Sequence, residues 1–190
     1  MLVIKLALLN YQSIWRGFPP RSIEDKDGKP LLSWRVAVLP YMEEKNLHRQ
    51  FHLDEPWDGE HNKALIERIP AAFANPNRPR DGKTNYLLPV GNGTLFGSGK
   101  RMRIKEIADA SKTIMFVEAD EDRAVIWTKP SDLDVDMDHP SCGLGHFRSD
   151  GILVEMCDGP VRTLRPGVSE TTLKALFNYQ GDKAIDPNDY

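Results

Sequence analysis

The sequence is poor in cysteine, with only Cys142 and Cys157 in 190 residues. Two cysteines do not make a disulfide framework, and their spacing does not fit the Cys and His ligand sets of a zinc site. Cys157 ends the apolar run ILVEMC, which favours a small buried side chain. A disulfide between the two cysteines is the alternative for an exported protein, because disulfides persist in oxidising compartments.

An excess of positive charge is also absent. The formal net charge is −3 and the isoelectric point is about 6.0, whereas a nucleic-acid-binding domain usually has a value above about 9 and a clustered basic stripe. The single local cluster of basic residues alternates with apolar residues, which indicates a solvated strand or turn, with contact to a phosphate or an acidic partner as the alternative. Its members are Lys100, Arg101, Arg103 and Lys105. No nucleic-acid partner is therefore predicted.

The sequence lacks an apolar run long enough to cross a membrane. The segment LVIKLALL at 2–9 contains Lys5, and a spanning helix needs about 20 apolar residues. No basic leader with a small-residue cleavage site is present, so we expect neither a signal segment nor a transmembrane segment. A helix that is apolar almost all round should be buried or embedded, which favours interpreting Met1 as a start within a longer protein.

Helical spacing of apolar residues characterises the first part of the chain. It predicts a helix at 2–15 that ends at Gly17 and the prolines after it. Ser33 can cap the next segment, which Pro40 should break into two short elements. The stretch HNKALIERIP predicts a further short amphipathic helix. We expect these short helices to form a small helical insertion.

The pattern changes after residue 70, where β-branched and aromatic residues indicate strands. The predicted strands are TNYLLPV, TIMFVEA, AVIWTK, ILVEMC and VRTLR. Ser169 is the predicted N-cap of a last helix, SETTLKALFNY. Helices followed by an antiparallel meander predict an α+β fold in one domain over residues 1–180. Residues 181–190 are predicted to form a disordered tail.

Two loops contain parts of binding motifs without completing them. The glycines of GNGTLFGSGK do not form a phosphate loop, because Gly99-Lys100 is followed by arginine in place of Ser or Thr. The alternating carboxylates that begin at Asp132 fail the EF-hand pattern, since its sixth and twelfth positions are Met137 and Gly143. No cofactor is predicted, and a looser calcium site is the alternative. That site would consist of Asp132, Asp134 and Asp136.

The five histidines offer weak candidates for a metal site. His48 and His52 are four residues apart and would share one face of a helix. Arginine follows His48, where a zinc hydrolase has glutamate. His61 could complete a site with a nearby carboxylate only through the fold. Capping and surface roles are the favoured interpretation, and no metal site is predicted from these residues.

No residue set indicates catalysis, so no catalytic residue is predicted. The Gly-x-Ser-x-Gly elbow is absent, and the residues around Cys142 lack the flanking pattern of a thiol protease. Glu118 and Asp120 share a strand face and could do acid–base work, although a charged strand end also explains them. A pocket that gathers two of four side chains within hydrogen-bond reach would revive the hypothesis of an enzyme. These are Glu118, Asp120, His146 and Asp158.

Long blocks of the sequence resemble one bacterial protein family. They are LALLNYQSIWRGFPP, KDGKPLLSWRVAVLPYMEEKNLHRQFHLDEPWDGEHNKALIERIP, GKTNYLLPVGNGTLF and GILVEMCDGPVRTL. The family is domain of unknown function 1559, which is also labelled as solute-binding, and the resemblance extends over nearly the whole chain. The positions that match its motifs are Trp34, Pro40, Tyr41, Trp57, Asp58, Asn85, Tyr86, His146, Asp158 and Gly159.

The resemblance implies a pilin-like or pseudopilin-like fold, in which an N-terminal helix packs on an antiparallel sheet. It also implies a non-enzymatic cell-envelope protein, periplasmic or extracellular, that acts in assembly or type II secretion with protein partners or copies of itself. A membrane would be reached only through a longer N-terminal helix. The chain departs from the family twice: the prepilin processing site is absent, and eleven residues separate His146 from Asp158 where the family motif has nine.

Three functional hypotheses follow. In the first, the chain is an assembling headpiece whose N-terminal helix docks through four side chains and whose helical part has an aromatic core. The docking residues are Leu6, Leu9, Ile14 and Trp15, and the core residues are Trp34, Tyr41 and Trp57. In the second, loops 70–100 and 129–150 line the cleft of an extracytoplasmic solute- or ion-binding module, without an assigned binding residue. An enzyme is the third and least favoured.

Overall fold

The structure, a computed structural model, describes residues 1–97, 99–181 and 185. These residues divide into two compact units. The N unit comprises Val3–Thr84 and Val125–Ser131, and the C unit comprises Met1–Leu2, Asn85–Ala124 and the described part of Asp132–Tyr190. The tail predicted at 181–190 lies outside the described residues except for Gly181 and Ile185. That residues 1–180 form one domain stays a prediction.

The N unit contains four of the helices and two short antiparallel strand pairs. Its helices are α1 (Leu2–Trp15, from Val3 on), α2 (Trp34–Val38), α3 (Lys45–His48) and α4 (Glu60–Lys63), with 3₁₀ turns at Leu39–Tyr41 and Ile66–Arg68. Its strands are β1 (Ser22–Glu24) paired with β2 (Pro30–Ser33), and β3 (Lys83–Thr84) paired with β7 (Val125–Ile126).

The C unit is built on a four-stranded antiparallel sheet. The strands of this sheet are β4 (Tyr86–Leu87), β6 (Ile114–Glu118), β9 (Ile152–Met156) and β10 (Val161–Leu164). Their order across the sheet is β10-β9-β6-β4. A separate parallel pair joins β5 (Pro89–Val90) to β8 (Leu133–Asp134). Helix α5 is Glu170–Phe177, with 3₁₀ turns at Ile104–Glu106, Ala110–Lys112 and Glu121–Arg123. The coarser prediction, an α+β fold with an N-terminal helix and antiparallel sheets, is therefore confirmed.

Helix α1 ends where the sequence predicts. Arg16 adopts a left-handed conformation with φ of 58°, and the backbone N–H of Gly17 donates to the carbonyl of Gln12 at 3.2 Å. These are features of a Schellman C-cap, which satisfies carbonyls that the helix end would otherwise leave unpaired. With fourteen residues α1 is the longest described helix, and none of the described helices has the length and apolar character of a membrane span.

The buried face of α1 differs from the predicted one. The helix buries Ile4, Leu8 and Tyr11, together with Lys5 and Ala7. Leu6, Ile14 and Trp15 are exposed and Leu9 is only half-buried, so the predicted set of docking residues is wrong. In a helix that is apolar nearly all round, spacing alone does not tell which face packs on the fold.

The aromatic core of the N unit depends on a residue that sequence analysis assigned only to a strand. Trp127 is fully buried, stacks on Phe73 at 6.1 Å and meets Phe51 edge-on at 5.7 Å between ring centroids. Trp34 is also fully buried and meets Phe73 edge-on, which confirms its predicted core role. Tyr41 and Trp57, the other predicted core residues, are half-buried.

Strand β6 forms the centre of the C unit. All five of its side chains are buried, and β9 and β4 pair with its two edges. The register with β9 shifts between Ile114 and Phe116. Ser169 caps α5 as predicted, since its hydroxyl oxygen accepts from the backbone N–H of Thr172 at 3.1 Å. The chain leaves β6 through Ala119 and Asp120, where the candidate site lies.

Candidate functional site at the end of strand β6

Asp120 organises the loop at the end of β6. One carboxylate oxygen accepts from the backbone N–H groups of His146 and Phe147 at 2.7 and 2.9 Å, and the other lies 2.9 Å from Nδ1 of His146. The backbone N–H of Asp120 donates to the carbonyl of Gly143 at 2.8 Å. The Asp120 side chain is only 8% exposed. Its carboxylate therefore takes the place of water as the acceptor for the N–H groups of His146 and Phe147.

The contact with Asp120 fixes the orientation of the His146 ring. In the neutral imidazole, Nδ1 carries the proton that is donated to Asp120, and Nε2 then presents a lone pair. The imidazole side chain is 88% exposed, so this lone pair faces solvent. A carboxylate that holds an imidazole in this way is the arrangement found behind both general bases and metal-bound histidines.

Cys142 and Arg123 lie in the same pocket as Asp120 and His146. The pocket has a volume of about 530 Å³ and is also lined by Glu121, Asp122, Ser141 and Gly143. The Nη2 atom of Arg123 lies 3.4 Å from the sulfur of Cys142. Gly143 has φ of 84°, and a Cβ atom there would lie 2.8 Å from Arg123. A side chain at this position would therefore strain the backbone and require the Arg123 side chain to shift.

A second carboxylate holds the opposite side of the Cys142 loop. Glu170, the first residue of α5, accepts from the backbone N–H of Ser141 at 3.1 Å and from the Ser141 hydroxyl. Residues 141–147 are thus fixed between Glu170 and Asp120. The thiol of Cys142 and the imidazole of His146 are presented by a loop that is hydrogen-bonded to carboxylates at both ends.

A buried acidic residue lies two positions before Asp120. Glu118 pairs with Tyr86 across strands β6 and β4 and lies 3.8 Å from the guanidinium of Arg148. Burial, and next the negative charge of Glu118, raise the pKa of Tyr86 to about 12, and Arg148 offsets part of this effect. Arg148 is itself held by two hydrogen bonds to Asp150 at 2.9 and 3.0 Å.

The His and the Asp-Gly of the predicted closing motif lie at opposite ends of β6. His146 is bound to Asp120, after the strand, whereas the backbone N–H of Asp158 donates to the carbonyl of Ala110, before it. Gly159 adopts φ of 96° in the turn, which agrees with the predicted Asp-Gly turn between β9 and β10. The two parts of the motif therefore do not share one site.

Of the four candidate acid–base residues, the structure brings Asp120 and His146 together in one pocket. This pair meets the condition that keeps the enzyme hypothesis open. Asp158 lies at the far end of the strand, and the Glu118 carboxylate is directed to Arg148. That the protein is not an enzyme stays a prediction.

The predicted calcium residues have local structural roles. Asp132 accepts from the backbone N–H of Leu88 at 3.0 Å, and Asp136 accepts from the backbone N–H of Asp138 at 2.9 Å. Asp134 is exposed in β8, between the buried Leu133 and Val135. The alternation of acids with apolar residues is thus the two-residue period of a strand. Among residues 1–97, 99–181 and 185, no three His, Cys, Asp or Glu side chains are grouped as a metal site.

The three histidines of the N unit do not converge on a common point. Helix α3 ends at His48, so His48 and His52 do not share a helix face, and burial lowers the pKa of His48. The rings of His52 and His61 stack at 3.6 Å with an angle of 2°. His52 contacts Glu55 at 3.0 Å, and His61 contacts the carbonyl of Gln50 at 2.6 Å.

Residues 2–91 match the family model described as "protein of unknown function (DUF1559)". This match confirms the family predicted from the sequence. Comparison with curated proteins gives no match, and comparison with solved structures gives none either. The Asp120 pocket and the closing motif lie outside the matched residues.

Inside the DUF1559 match, a buried asparagine that sequence analysis missed organises the Asp-Glu-Pro-Trp-Asp segment. Asn62 is fully buried and accepts from the backbone N–H of His52 at 3.0 Å. Its amide group donates to the carbonyls of His52, Glu55 and Pro56 at 2.8, 3.1 and 3.3 Å. The chain from 52 to 56 thus bends around one side chain. No short-range pattern signals this role.

The other motif residues in the DUF1559 match have structural roles. The backbone N–H of Trp57 donates to the carbonyl of Leu31 at 2.8 Å. The Asp58 side chain is exposed. Pro40 and Tyr41 form the 3₁₀ turn after α2. Asn85 is buried and donates to the carbonyl of Ala119, directly before Asp120, at 2.7 Å. Among the motif residues inside the match, Asn85 is the one that contacts the chain next to the candidate site.

Proposed function

We propose that the chain is the headpiece of a non-enzymatic cell-envelope protein that assembles through helix α1. The observation that carries this proposal is a concentration of exposed apolar side chains. Of the six large apolar side chains exposed in the described part of the chain, five lie on α1 and one is Leu53. Exposed apolar patches of soluble proteins commonly mark interaction sites.

The patch has a definable centre on the first half of α1. Leu2, Val3, Leu6 and the half-buried Leu9 form what we call the α1 patch. Leu2, Leu6 and Leu9 recur at intervals of four and three residues, which is the spacing of the seam between two packed helices. The patch is therefore suited to another α-helix.

The lack of exposed positively charged side chains on α1 favours a protein partner over a lipid surface. Lys5 is its single charged residue and is buried. Helices that lie on membranes usually combine an apolar face with a face rich in Lys and Arg. A second copy of the chain supplies the complementary patch without any further component. We therefore propose self-association through α1, within a pilin-like assembly or secretion machinery of the envelope.

Self-association can be tested by sedimentation velocity over a range of protein concentrations. We expect the average sedimentation coefficient to rise with concentration. The Leu6→Glu variant should weaken this association by at least roughly tenfold, because the interface would have to bury a carboxylate. Leu6 is 49% exposed, so the substitution should leave folding intact.

Leu53→Glu is the matched control, because Leu53 is also an exposed leucine of the N unit, at 40%, and lies outside α1. It should sediment as the wild type does. A wild-type chain that remains monomeric at all concentrations, or equal effects of both substitutions, would contradict the proposal.

The second candidate function is an extracytoplasmic solute- or ion-binding module. The Asp120 pocket, with its charged lining, is the observation that favours it. A ligand that binds the folded chain raises the unfolding midpoint by mass action. A thermal-shift screen of sugars, amino acids and divalent ions therefore tests it, and an unchanged midpoint across the screen would speak against it.

A further inference from the structure

We propose that Cys142 is a reactive thiol that forms a mixed disulfide with low-molecular-weight disulfides in the Asp120 pocket. The site has four parts: an exposed thiol, a guanidinium 3.4 Å from its sulfur, an oriented imidazole and a buried carboxylate. This inference is independent of the proposed self-association, because it concerns the C unit and uses none of the α1 patch.

The two cysteines cannot reach each other in this fold. The carbonyl of Gly143, the residue after Cys142, accepts from the backbone N–H of Asp120. The backbone N–H of Cys157, in contrast, donates to the carbonyl of Thr113. Thr113 and Asp120 flank β6, and seven residues of extended chain span about 23 Å. A disulfide needs Cα atoms within about 7 Å. The two thiols are accordingly not joined, and the disulfide considered from the sequence does not form.

Only Cys142 is open to reagents, since Cys157 is buried. Without an accessible second thiol in the chain, a mixed disulfide at Cys142 has no internal resolving partner. The mixed disulfide is therefore the end product of the exchange. Cys142 would be a site of covalent modification and would not turn over as a catalyst.

Arg123 and Gly143 distinguish Cys142 from an ordinary surface thiol. The attacking species in thiol–disulfide exchange is the thiolate, and a guanidinium that donates to sulfur interacts more strongly with the anion than with the neutral thiol. Gly143 favours this contact, because a Cβ atom there would lie 2.8 Å from the Arg123 side chain and would require it to shift. The loop thus places a positive charge beside the nucleophile.

His146 provides a proton acceptor in the same pocket. Its Nδ1 is occupied by Asp120, so Nε2 is the ring nitrogen available to the pocket. In the proposed step the sulfur of Cys142 attacks one sulfur of a disulfide RSSR and forms Cys142–S–S–R. The S–S bond of the reagent breaks, and the leaving thiolate takes up, by way of Nε2, the proton that Cys142 released. The products are the mixed disulfide and one RSH, with the reagent as the only oxidant.

The test is the rate at which the native chain reacts with oxidised glutathione, followed by intact-protein mass. We expect one glutathionyl group per chain, absent in Cys142→Ser and retained in Cys157→Ser. Arg123→Gln and His146→Gln should each slow the reaction about tenfold at neutral pH, through loss of the charge-assisted contact or of the proton acceptor. Arg123→Lys should recover part of the rate.

Arg165→Gln is the matched control, because it removes an exposed arginine of the same unit and should leave the rate unchanged. The unfolding midpoint of each variant shows whether the loop is intact. Two modified cysteines in the native chain would overturn the proposal, as would a Cys142 rate no greater than that of free cysteine. Equal rates in wild type and Arg123→Gln would overturn the role of the guanidinium.

Discussion

The Asp120→Ala variant is expected to unfold with a free energy about 3 kcal/mol below that of the wild type, because two backbone N–H groups and an imidazole lose their common acceptor. In a chain of this size the loss corresponds to a fall of roughly 6–12 °C in the unfolding midpoint. Asp120→Asn should lose less, since its amide oxygen can still accept from the N–H groups of His146 and Phe147.

The measurement that tests the Asp120→Ala prediction must report on the stability of the C unit, which contains Asp120. All four tryptophans, Trp15, Trp34, Trp57 and Trp127, belong to the N unit. Amide hydrogen exchange is therefore the suitable probe, with faster exchange expected at His146 and Phe147. Asp122→Ala is the control, because Asp122 is close by and exposed and should change little. Unchanged protection of residues 143–147 in Asp120→Ala would show that Asp120 does not hold this loop.

The Asn62→Ala variant should lose a similar amount of stability, about 3 kcal/mol, in the N unit. The substitution leaves the backbone N–H of His52 without its acceptor and takes one donor from the carbonyls of His52, Glu55 and Pro56. The carbonyls of His52 and Pro56 keep a second donor, the backbone N–H groups of Glu55 and Gly59. The main cost is therefore that of two unsatisfied groups, at about 1–3 kcal/mol each when water cannot replace the lost partner. Partial entry of water keeps the total below the simple sum. Asn62→Asp should be at least as damaging, because a carboxylate would face three carbonyl oxygens.

Tryptophan fluorescence during urea unfolding measures this effect, since Trp57 lies within the same segment and the other three tryptophans are in the same unit. Asn46→Ala is the matched control, because Asn46 is exposed in α3. We expect its midpoint to stay close to that of the wild type. Equal midpoints for Asn62→Ala and Asn46→Ala would contradict the role assigned to the buried amide.

Elements with a strong local signal were predictable from the sequence. The apolar runs TIMFVEA and ILVEMC become β6 and β9, and Ser169 caps α5 by the hydrogen bond that its position predicts. The family was predictable as well, because the Ser-Trp-Arg and Asp-Glu-Pro-Trp-Asp blocks are specific. In each case a few neighbouring residues determine the outcome.

Features that depend on distant residues were not predictable. Asp120 and His146 are 26 residues apart. No periodic sequence pattern indicates that the end of a strand will contact a loop so far along the chain. Trp127 enters the N unit from a segment that follows much of the C unit in sequence. The prediction of the buried face of α1 was wrong, because the sequence of an almost uniformly apolar helix does not specify which side packs on the fold. The pilin-like packing of helix and sheet stays a prediction.

Photocross-linking from α1 tests the proposed assembly most directly. A photoreactive residue is introduced in place of Leu6 in the full chain, and in a second variant in place of Leu53. We predict covalent dimers from the Leu6 position, with the cross-link mapped by mass spectrometry to α1 of the second copy, and few or none from the Leu53 position. Absence of dimers from Leu6, or cross-links that avoid α1, would contradict assembly through this helix.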